Sequence, residues 1–394
     1  MSANQLTKAL FLTAVAFGVV SSAWAAPKYK VLHAFGKGKD GVGVWGGLVF
    51  DGQGNAYGTT INGGMYNFGT VLEMTPHPNG HWTETVLHSF NCEDNEGCMP
   101  DAGLAIDPAG NLYGTAKITT FELSPGPAGW TLTVLLDSAN YATQILDPAG
   151  NLYGPFGSGE YGGGAISELV KADGWAEKWL YSFCAKGWPC VDGTQPYAGV
   201  TWGPDGSLYG TTVEGGTGGY GVVFRLTPQP DGTRKETVLH SFPAFPTDGR
   251  KPYEGVVLDK VGNVYGATAQ GGGGGHDCGV IFELAPQANG KWKETILYDF
   301  PKLTQGCTAN TPALDAKGNL WSTAQSGGTS GNGVLFELSP QPNGKWKYQV
   351  VHQFNWKDGS LPGAAVIFDG KGNLYGTTIL GGAYGGGVAF ELTP

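Results

Sequence analysis

The chain has 394 residues, of which 68 are glycine, with 12% aromatic and only 14% charged side chains. This composition is unusual for a helical protein and favours short strands joined by glycine-rich turns. The formal net charge of -10 argues against nucleic acid as a partner, because contacts with phosphates require a basic surface.

The first 25 residues have the features of a secretory signal peptide. Lys8 precedes an apolar run over residues 9–20, and Ala23-Trp24-Ala25 matches an Ala-x-Ala cleavage site. The run is shorter than the roughly 20 apolar residues that cross a bilayer, and no later segment is apolar enough to do so. We expect cleavage after Ala25 and a secreted or periplasmic, monomeric mature protein without a membrane span.

A short motif recurs seven times and indicates a repeat protein. Its core is Gly-Asn-x-Tyr-Gly or a close variant, and the spacings are 56, 40, 56, 56, 56 and 54 residues. The aromatic residues of the seven copies are Tyr57, Tyr113, Tyr153, Tyr209, Tyr265, Trp321 and Tyr375. Each unit, as in residues 197–242, contains four short strand segments, A to D, separated by turn residues. Four antiparallel strands per unit predict the blade of a propeller.

The two ends of the repeat array complement each other. The last unit stops after strand C at residues 387–394, whereas residues 29–35 match the strand D segment 85–90. An N-terminal strand that completes the last blade closes the ring and removes its free edges. The sequence therefore predicts an all-β fold, a seven-bladed β-propeller of four-stranded blades, formed as one domain by residues 26–394.

The repeat also resembles a known family. The segments Gly372-Asn-Leu-Tyr-Gly-Thr-Thr378 and Gly387-Val-Ala-Phe-Glu-Leu-Thr-Pro394, with a Gly-Gly loop between them, are similar to the bacterial exported repeats called GloVer. The resemblance covers residues 28–394 and implies an extracytoplasmic repeat protein, but it transfers no catalytic residue. Blade 2 departs from the pattern, since residues 115–123 contain no glycine-rich loop, and this predicts one low side of the ring.

Six cysteines in an exported chain predict three disulfides. Two pairs have the same spacing and follow Ser-Phe at the same point of the repeat, which favours local bridges and leaves the remaining two cysteines for each other. The predicted bridges are Cys92–Cys98, Cys184–Cys190 and Cys278–Cys307. Neither local pair has the short spacing of a zinc site, and no metal or other cofactor is predicted.

Residues that recur in most blades are interpreted as structural, because each blade needs them for its own packing. The strand D histidines are His33, His88, His240 and His352. The aspartates of the turns between strands A and B are Asp51, Asp107, Asp147, Asp259, Asp315 and Asp369. Function is expected instead on the long B–C loops and the connections from strand D to the next strand A, which share one face and contain all six cysteines.

The start of strand A supplies candidate binding residues on that face. Alignment of the seven blades places large aromatic residues at one position in four of them, and Asp101, Ala309 and Gly363 in the others. The four aromatic residues are Trp45, Tyr141, Tyr197 and Tyr253. Aromatic rings with a few directed polar groups suit a glycan at the channel mouth. Packing of these rings against the start of the strand is an equally good explanation.

Unrepeated charged residues cluster in blades 3 to 5 and supply candidate catalytic and binding groups. His276, next to Cys278, is predicted to act as acid or base near Tyr253 on a carboxylated sugar, with Arg250 and Lys251 neutralising the carboxylate. Alternatively, two carboxylates form a glycosidase pair if they lie about 5–9 Å apart. This pair is Glu214 and Glu254, and Asn310 and Trp188 are further candidates for substrate binding.

These observations leave more than one class of function open. A binding module for an extracellular polysaccharide or oligosaccharide is favoured slightly, because no catalytic motif is recognisable. A polysaccharide lyase or a glycoside hydrolase is the alternative, and a protein-interaction or structural surface protein is the second alternative.

Overall fold

The computed structural model describes residues 27–138, 142–244 and 247–393. The predicted signal peptide and Tyr141 lie outside the described residues. Within them the fold is all-β, with seven antiparallel sheets arranged as a seven-bladed β-propeller, as predicted. Two single-turn 3-10 helices are described, Lys171–Asp173 and Leu303–Gln305.

The strands are numbered in chain order. The closing strand and blade 1 comprise β1 (Lys28–Ala34), β2 (Gly41–Val42), β3 (Val49–Phe50), β4 (Ala56–Thr60), β5 (Asn62–Gly63), β6 (Thr70–Pro76) and β7 (Trp82–Ser89). Blades 2 and 3 comprise β8 (Ala105–Ile106), β9 (Leu112–Ala116), β10 (Thr119–Gly126), β11 (Gly129–Leu136), β12 (Ile145–Leu146), β13 (Leu152–Pro155), β14 (Ala165–Val170) and β15 (Ala176–Ser182).

The second half of the ring follows the same plan. Blades 4 and 5 comprise β16 (Thr201–Trp202), β17 (Leu208–Thr212), β18 (Val222–Pro228), β19 (Arg234–Ser241), β20 (Gly249–Arg250), β21 (Val256–Leu258), β22 (Val264–Ala267), β23 (Gln270–Gly271), β24 (Val280–Pro286) and β25 (Trp292–Asp299). Blades 6 and 7 comprise β26 (Cys307–Ala309), β27 (Ala313–Leu314), β28 (Leu320–Ser326), β29 (Val334–Pro340), β30 (Trp346–Gln353), β31 (Ile367–Phe368), β32 (Leu374–Thr377) and β33 (Val388–Thr393).

The ring closes through its first strand. β1 pairs antiparallel with β33, from Lys28 opposite Thr393 to Ala34 opposite Val388, and becomes the outer strand of blade 7. Leu32 of β1 is buried in a cluster with side chains of blade 1. The predicted closure is therefore confirmed, and it joins blade 7 to blade 1.

Hydrogen bonds at the turn between strands A and B explain the recurring motif. In blade 1 the Asp51 carboxylate accepts hydrogen bonds from the Gln53 and Asn55 backbones at 2.8 and 2.9 Å. The Tyr57 hydroxyl lies 3.3 Å from Asp51 and 3.1 Å from Glu73 on strand C. Burial acts to raise the pKa of Asp51, but the hydrogen bonds outweigh it and lower that pKa. Equivalent aspartate–asparagine contacts occur at Asp107, Asp147, Asp259, Asp315 and Asp369.

The innermost strands are shorter than the sequence predicts. Alternation over residues 197–202 predicts a strand, but only Thr201–Trp202 pairs with β17. The preceding positions instead contact the neighbouring blade: a Cβ on Gly46 would lie 2.1 Å from the carbonyl carbon of Ala102. The Thr59 hydroxyl donates a hydrogen bond to the Ala102 carbonyl at 2.7 Å. Small residues at the start of strand A therefore allow adjacent blades to approach closely.

The B–C loops and the D-to-A connections meet on one face, as predicted. β2 pairs with β5 and β20 pairs with β23, so each connection runs beside the loop of the next blade. The three disulfides are those predicted, and they fit an extracellular or periplasmic protein. In blade 2 only residues 117–118 join β9 to β10. Over the described ranges, no helix is long and apolar enough to cross a membrane.

Truncation of Leu32 tests the contribution of the closing strand. Leu32→Ala is expected to cost about 2–5 kcal/mol of unfolding free energy, because it opens a cavity at the junction of blades 7 and 1. Lys28→Ala, at an exposed position of the same strand, should change it by less than about 0.5 kcal/mol. Thermal and denaturant unfolding measure both, and equal stabilities for the two variants would contradict the closure.

Candidate functional site

The inner ends of the seven blades surround one cavity of about 920 Å³. Every blade contributes residues from the start of its strand A or the segment just before it, so strand A is the innermost strand. The lining includes Gln195 and Thr308 from D-to-A connections. The cavity therefore lies at the end of the central channel that faces the long loops.

Three of the predicted aromatic residues line this cavity. Trp45, Tyr197 and Tyr253 are 43%, 36% and 44% exposed. The rings of Tyr197 and Tyr253 are 6.3 Å apart and nearly parallel, with an interplanar angle of 15°. Each of the three side chains is therefore partly exposed where it lines the cavity instead of being buried against the start of the strand.

Two acidic side chains face the same cavity. Asp101 occupies the aromatic position in blade 2; its Oδ1 is buried and has no hydrogen-bond partner in the described chain. Burial raises the pKa of Asp101 to about 6. Glu254 accepts hydrogen bonds from the backbone N–H and hydroxyl of Thr311 at 3.4 and 3.1 Å. Burial nevertheless raises the pKa of Glu254. Both groups therefore stay protonated to a higher pH than exposed carboxyl groups.

Three predicted residues lie near the cavity without lining it, and two of them form hydrogen bonds with glutamines of the lining. Asn310 is fully buried, and its Oδ1 accepts a hydrogen bond from Gln325 at 3.2 Å. Glu214 accepts a hydrogen bond from Gln195 at 3.4 Å and lies 4.0 Å from the Lys251 ammonium. Gln195 and Gln325 line the cavity, whereas Asn310, Glu214 and Lys251 do not. Asn310 and Glu214 therefore contact glutamines of the lining, and Lys251 contacts Glu214.

The remaining predicted residues lie away from the cavity. His276 is exposed, and its side chain has no partner within residues 27–138, 142–244 and 247–393. Arg250 pairs with Asp277 at 2.5 Å, and Trp188 is 90% exposed. The structure therefore separates the predicted acid–base set, because only Tyr253 of that set reaches the cavity. The described lining contains no lysine, arginine or histidine.

Asp101, Gln195 and Gln325 are polar cavity residues that the sequence prediction did not single out, and only Asp101 had a signal in the alignment. The alignment places it at the same position as Trp45 and Tyr197, where it is the single acidic residue. An acidic residue at a position that is aromatic in other blades was the available signal, but the sequence does not reveal that Asp101 is partly buried. No cluster with metal-ligating geometry occurs among the described cavity residues; the two clusters found lie at the outer edges of the blades.

The fold and the repeat define the class of protein, a seven-bladed propeller built from one tandem motif. Residues 139–390 match the model of the Gloeobacter/Verrucomicrobia repeat. The chain belongs to this family. A comparison with curated protein sequences finds no match.

Solved structures share the propeller fold. One is the extracellular domain of a protein titled a one-component system from B. thetaiotaomicron, with a TM-score of 0.57 and 11% identity over 92% of this chain and 39% of that chain. A gluconolactonase from Xanthomonas campestris has a TM-score of 0.41 and 15% identity over 72% and 82% of the two chains. An oxidoreductase titled glucose dehydrogenase from Thermus thermophilus has a TM-score of 0.43 and 17% identity over 93% and 100%. At these identities the similarity shows the fold alone.

Replacing Asp101 tests the electrostatics of the cavity. Because the pKa of Asp101 is raised from an ordinary value near 4 to about 6 in the folded state, its ionisation removes stability as the pH rises from about 4 to about 6, and the loss is complete above that range. Asp101→Asn should therefore melt above the wild type at pH 8 but not at pH 4. Glu93→Gln, an exposed acid of the same connection, is the control. A stability difference that does not change with pH would contradict the assignment.

Proposed function

We propose that this protein binds a neutral extracellular glycan in its central cavity. The observation that carries the proposal is the group of three half-exposed aromatic rings, Trp45, Tyr197 and Tyr253, around one concave site. Aromatic faces pack against the C–H faces of sugar rings, and a site of this volume lies within the roughly 300–1,000 Å³ usual for small ligands. The ligand would be a short oligosaccharide or the end of a polysaccharide chain.

The polar groups of the cavity favour a neutral glycan over a uronic acid. Gln195 and Gln325 offer amide donors and acceptors. The oxygens of Asp101 and Glu254 accept hydrogen bonds, and the raised pKa of each group extends the pH range over which its protonated form also donates. Sugar hydroxyls need both kinds of partner. A carboxylated sugar would meet no described cationic side chain in the lining, so its carboxylate would be buried without a charged partner, which costs free energy.

Removal of one ring tests this proposal. Tyr197→Ala should weaken the binding of neutral oligosaccharides about tenfold, because a well-packed aromatic contact contributes about 1.5 kcal/mol. Tyr66→Ala is the matched control, since Tyr66 is 48% exposed on the same face but lies outside the cavity lining. Titration calorimetry against a panel of neutral and uronic oligosaccharides measures both. Preference for the uronic panel, or equal loss in both variants, would overturn the proposal.

A glycoside hydrolase is the second candidate. The observation that favours it is the presence of two carboxyl groups with raised pKa values in one cavity, since general acids of glycosidases are tuned in this way. Asp101 and Glu254 lie three blades apart and so approach the cavity from opposite sides. The polysaccharide lyase with His276 as its base has less support, because that side chain and Arg250 lie outside the lining.

A turnover assay separates binding from catalysis. If the protein is a hydrolase, Glu254→Gln should lower the release of reducing ends by about 100-fold or more while the Kd changes little. His276→Ala should leave turnover unchanged. No new reducing ends with any glycan that binds would exclude the hydrolase and leave the binding module. Loss of turnover in His276→Ala, with ultraviolet-absorbing unsaturated products, would instead support the lyase.

A further inference from the structure

Two junctions between blades bring one histidine and two acids together at the outer edge of the ring. In each junction a strand D histidine, an acid from the following connection and a glutamate from strand D of the next blade lie side by side. Their ligand atoms all lie within 4.8 Å of one another. The triads are His33, Asp40 and Glu84 between blades 7 and 1, and His240, Asp248 and Glu294 between blades 4 and 5.

The first triad is held in place by its backbone. The His33 Nε2 lies 2.8 Å from the Asp40 Oδ2, and the other Asp40 oxygen accepts a hydrogen bond from the Gly41 N–H at 2.7 Å. The Glu84 Oε1 is buried and has no hydrogen-bond partner in the part of the chain that the structure describes. All three side chains line a cavity of about 620 Å³ that connects the triad with solvent. One buried oxygen therefore lacks a partner in an otherwise ordered polar cluster.

The second triad repeats this arrangement with different residues. The His240 Nε2 lies 3.2 Å from the Asp248 Oδ2 and 3.6 Å from the Glu294 Oε2. The Gly249 N–H donates to the other Asp248 oxygen at 2.5 Å, as Gly41 does in the first triad. The Glu294 Oε1 is again buried and, among the described residues, unpartnered. The same atom is left without a partner in both places.

A third junction shows how the protein balances two acids with its own cation. Between blades 3 and 4 a tyrosine replaces the histidine, and its hydroxyl donates to Asp192 at 2.8 Å. There Lys186 places its ammonium 2.7 Å from the Glu236 Oε2, at the position equivalent to Glu84 and Glu294, while the Glu236 Oε1 is buried and, among the described residues, unpartnered as in the triads. The lysine is therefore what distinguishes this junction from the triads. No lysine or arginine is described within ion-pair distance of the acids of either triad, and their described ion pairs are all with histidine, although Lys37 and Lys39 line the same cavity as the first triad.

Blade junctions that contain one histidine and a single acid need no additional cation. His88 lies 3.1 Å from Glu96, and His352 lies 3.3 Å from Asp358, so one imidazole faces one carboxylate. The two triads thus differ from every other described histidine junction by one additional carboxyl group. When such a group is ionised in a partly buried site without an ion-pair partner, it is costly.

We propose that each triad binds a divalent transition metal ion of the zinc class. The ligands are the histidine Nε2 and one oxygen from each of the two carboxylates, with water completing the tetrahedral set. One imidazole nitrogen and two carboxylate oxygens are ligands that Zn²⁺ accepts at about 2.0–2.2 Å. Because the histidine and the glutamate belong to neighbouring blades, the ion cross-links a blade junction. At His33 that junction is the closure of the ring. The site is independent of the proposed glycan cavity.

Metal content tests the proposal directly. The untagged, non-reduced protein, dialysed with ZnCl₂ and then against buffer, should retain about two zinc ions per chain by plasma mass spectrometry, one for each triad. Glu84→Gln and Glu294→Gln should each lose one ion, and the double variant should lose both. Glu236→Gln, at the junction that contains Lys186, is the matched control and should retain two.

Thermal melting provides a second measurement. Zinc should raise the melting temperature of the wild type by about 2 °C or more, and EDTA should reverse the shift, because a ligand of the folded state stabilises it by mass action. The double variant should show no shift. Retention of no zinc, zinc that remains in the double variant, or binding of Ca²⁺ without Zn²⁺ would each overturn the proposal. His33→Asn with His240→Asn gives the same test if the glutamine variants fold poorly.

Discussion

The pairing of β1 with β33 is the constraint on which the rest of the molecule depends. Each hydrophobic cluster lies between two neighbouring blades; Ile281 of blade 5, for example, packs in one cluster with Phe336 of blade 6. A blade therefore has no core of its own, and an open ring leaves the faces of two blades uncovered. Closure also sets the distance between opposite inner strands, and with it the width of the cavity that Trp45 and Tyr253 share.

Most of this architecture could be predicted from the sequence because it repeats. The Asp51–Asn55–Tyr57 network is local in sequence, so the same residues at the same spacing report the same turn in every copy. The closing strand was recognisable because residues 29–35 match a segment that the last unit lacks. Disulfides followed from equal spacing at equal points of the repeat. The short inner strands were not foreseen, because contact with the next blade leaves no trace in the alternation of one segment.

The candidate functional residues were less predictable than the fold, because their surroundings include side chains from neighbouring blades. Tyr197 and Tyr253 could be placed together because both occupy one position of the repeat, whereas the burial of Asp101 and Glu254 depends on the whole ring. His276 was singled out because it does not recur in the other blades, and the structure places it in an exposed loop. Conversely, His33 and His240 look ordinary as repeated residues. Their surroundings differ from those of other copies only through acids contributed by the adjacent connection and blade.

The two-residue turn at residues 117–118 makes the face with the long loops asymmetric. In blade 4 the B–C loop comprises residues 213–221, whereas in blade 2 it comprises only Lys117 and Ile118. In blade 2 the disulfide-bridged connection before strand A packs beside this short turn, since the Thr119 hydroxyl donates a hydrogen bond to the Glu96 carbonyl at 2.8 Å. The face with the long loops is therefore asymmetric, although every blade of the ring repeats one motif.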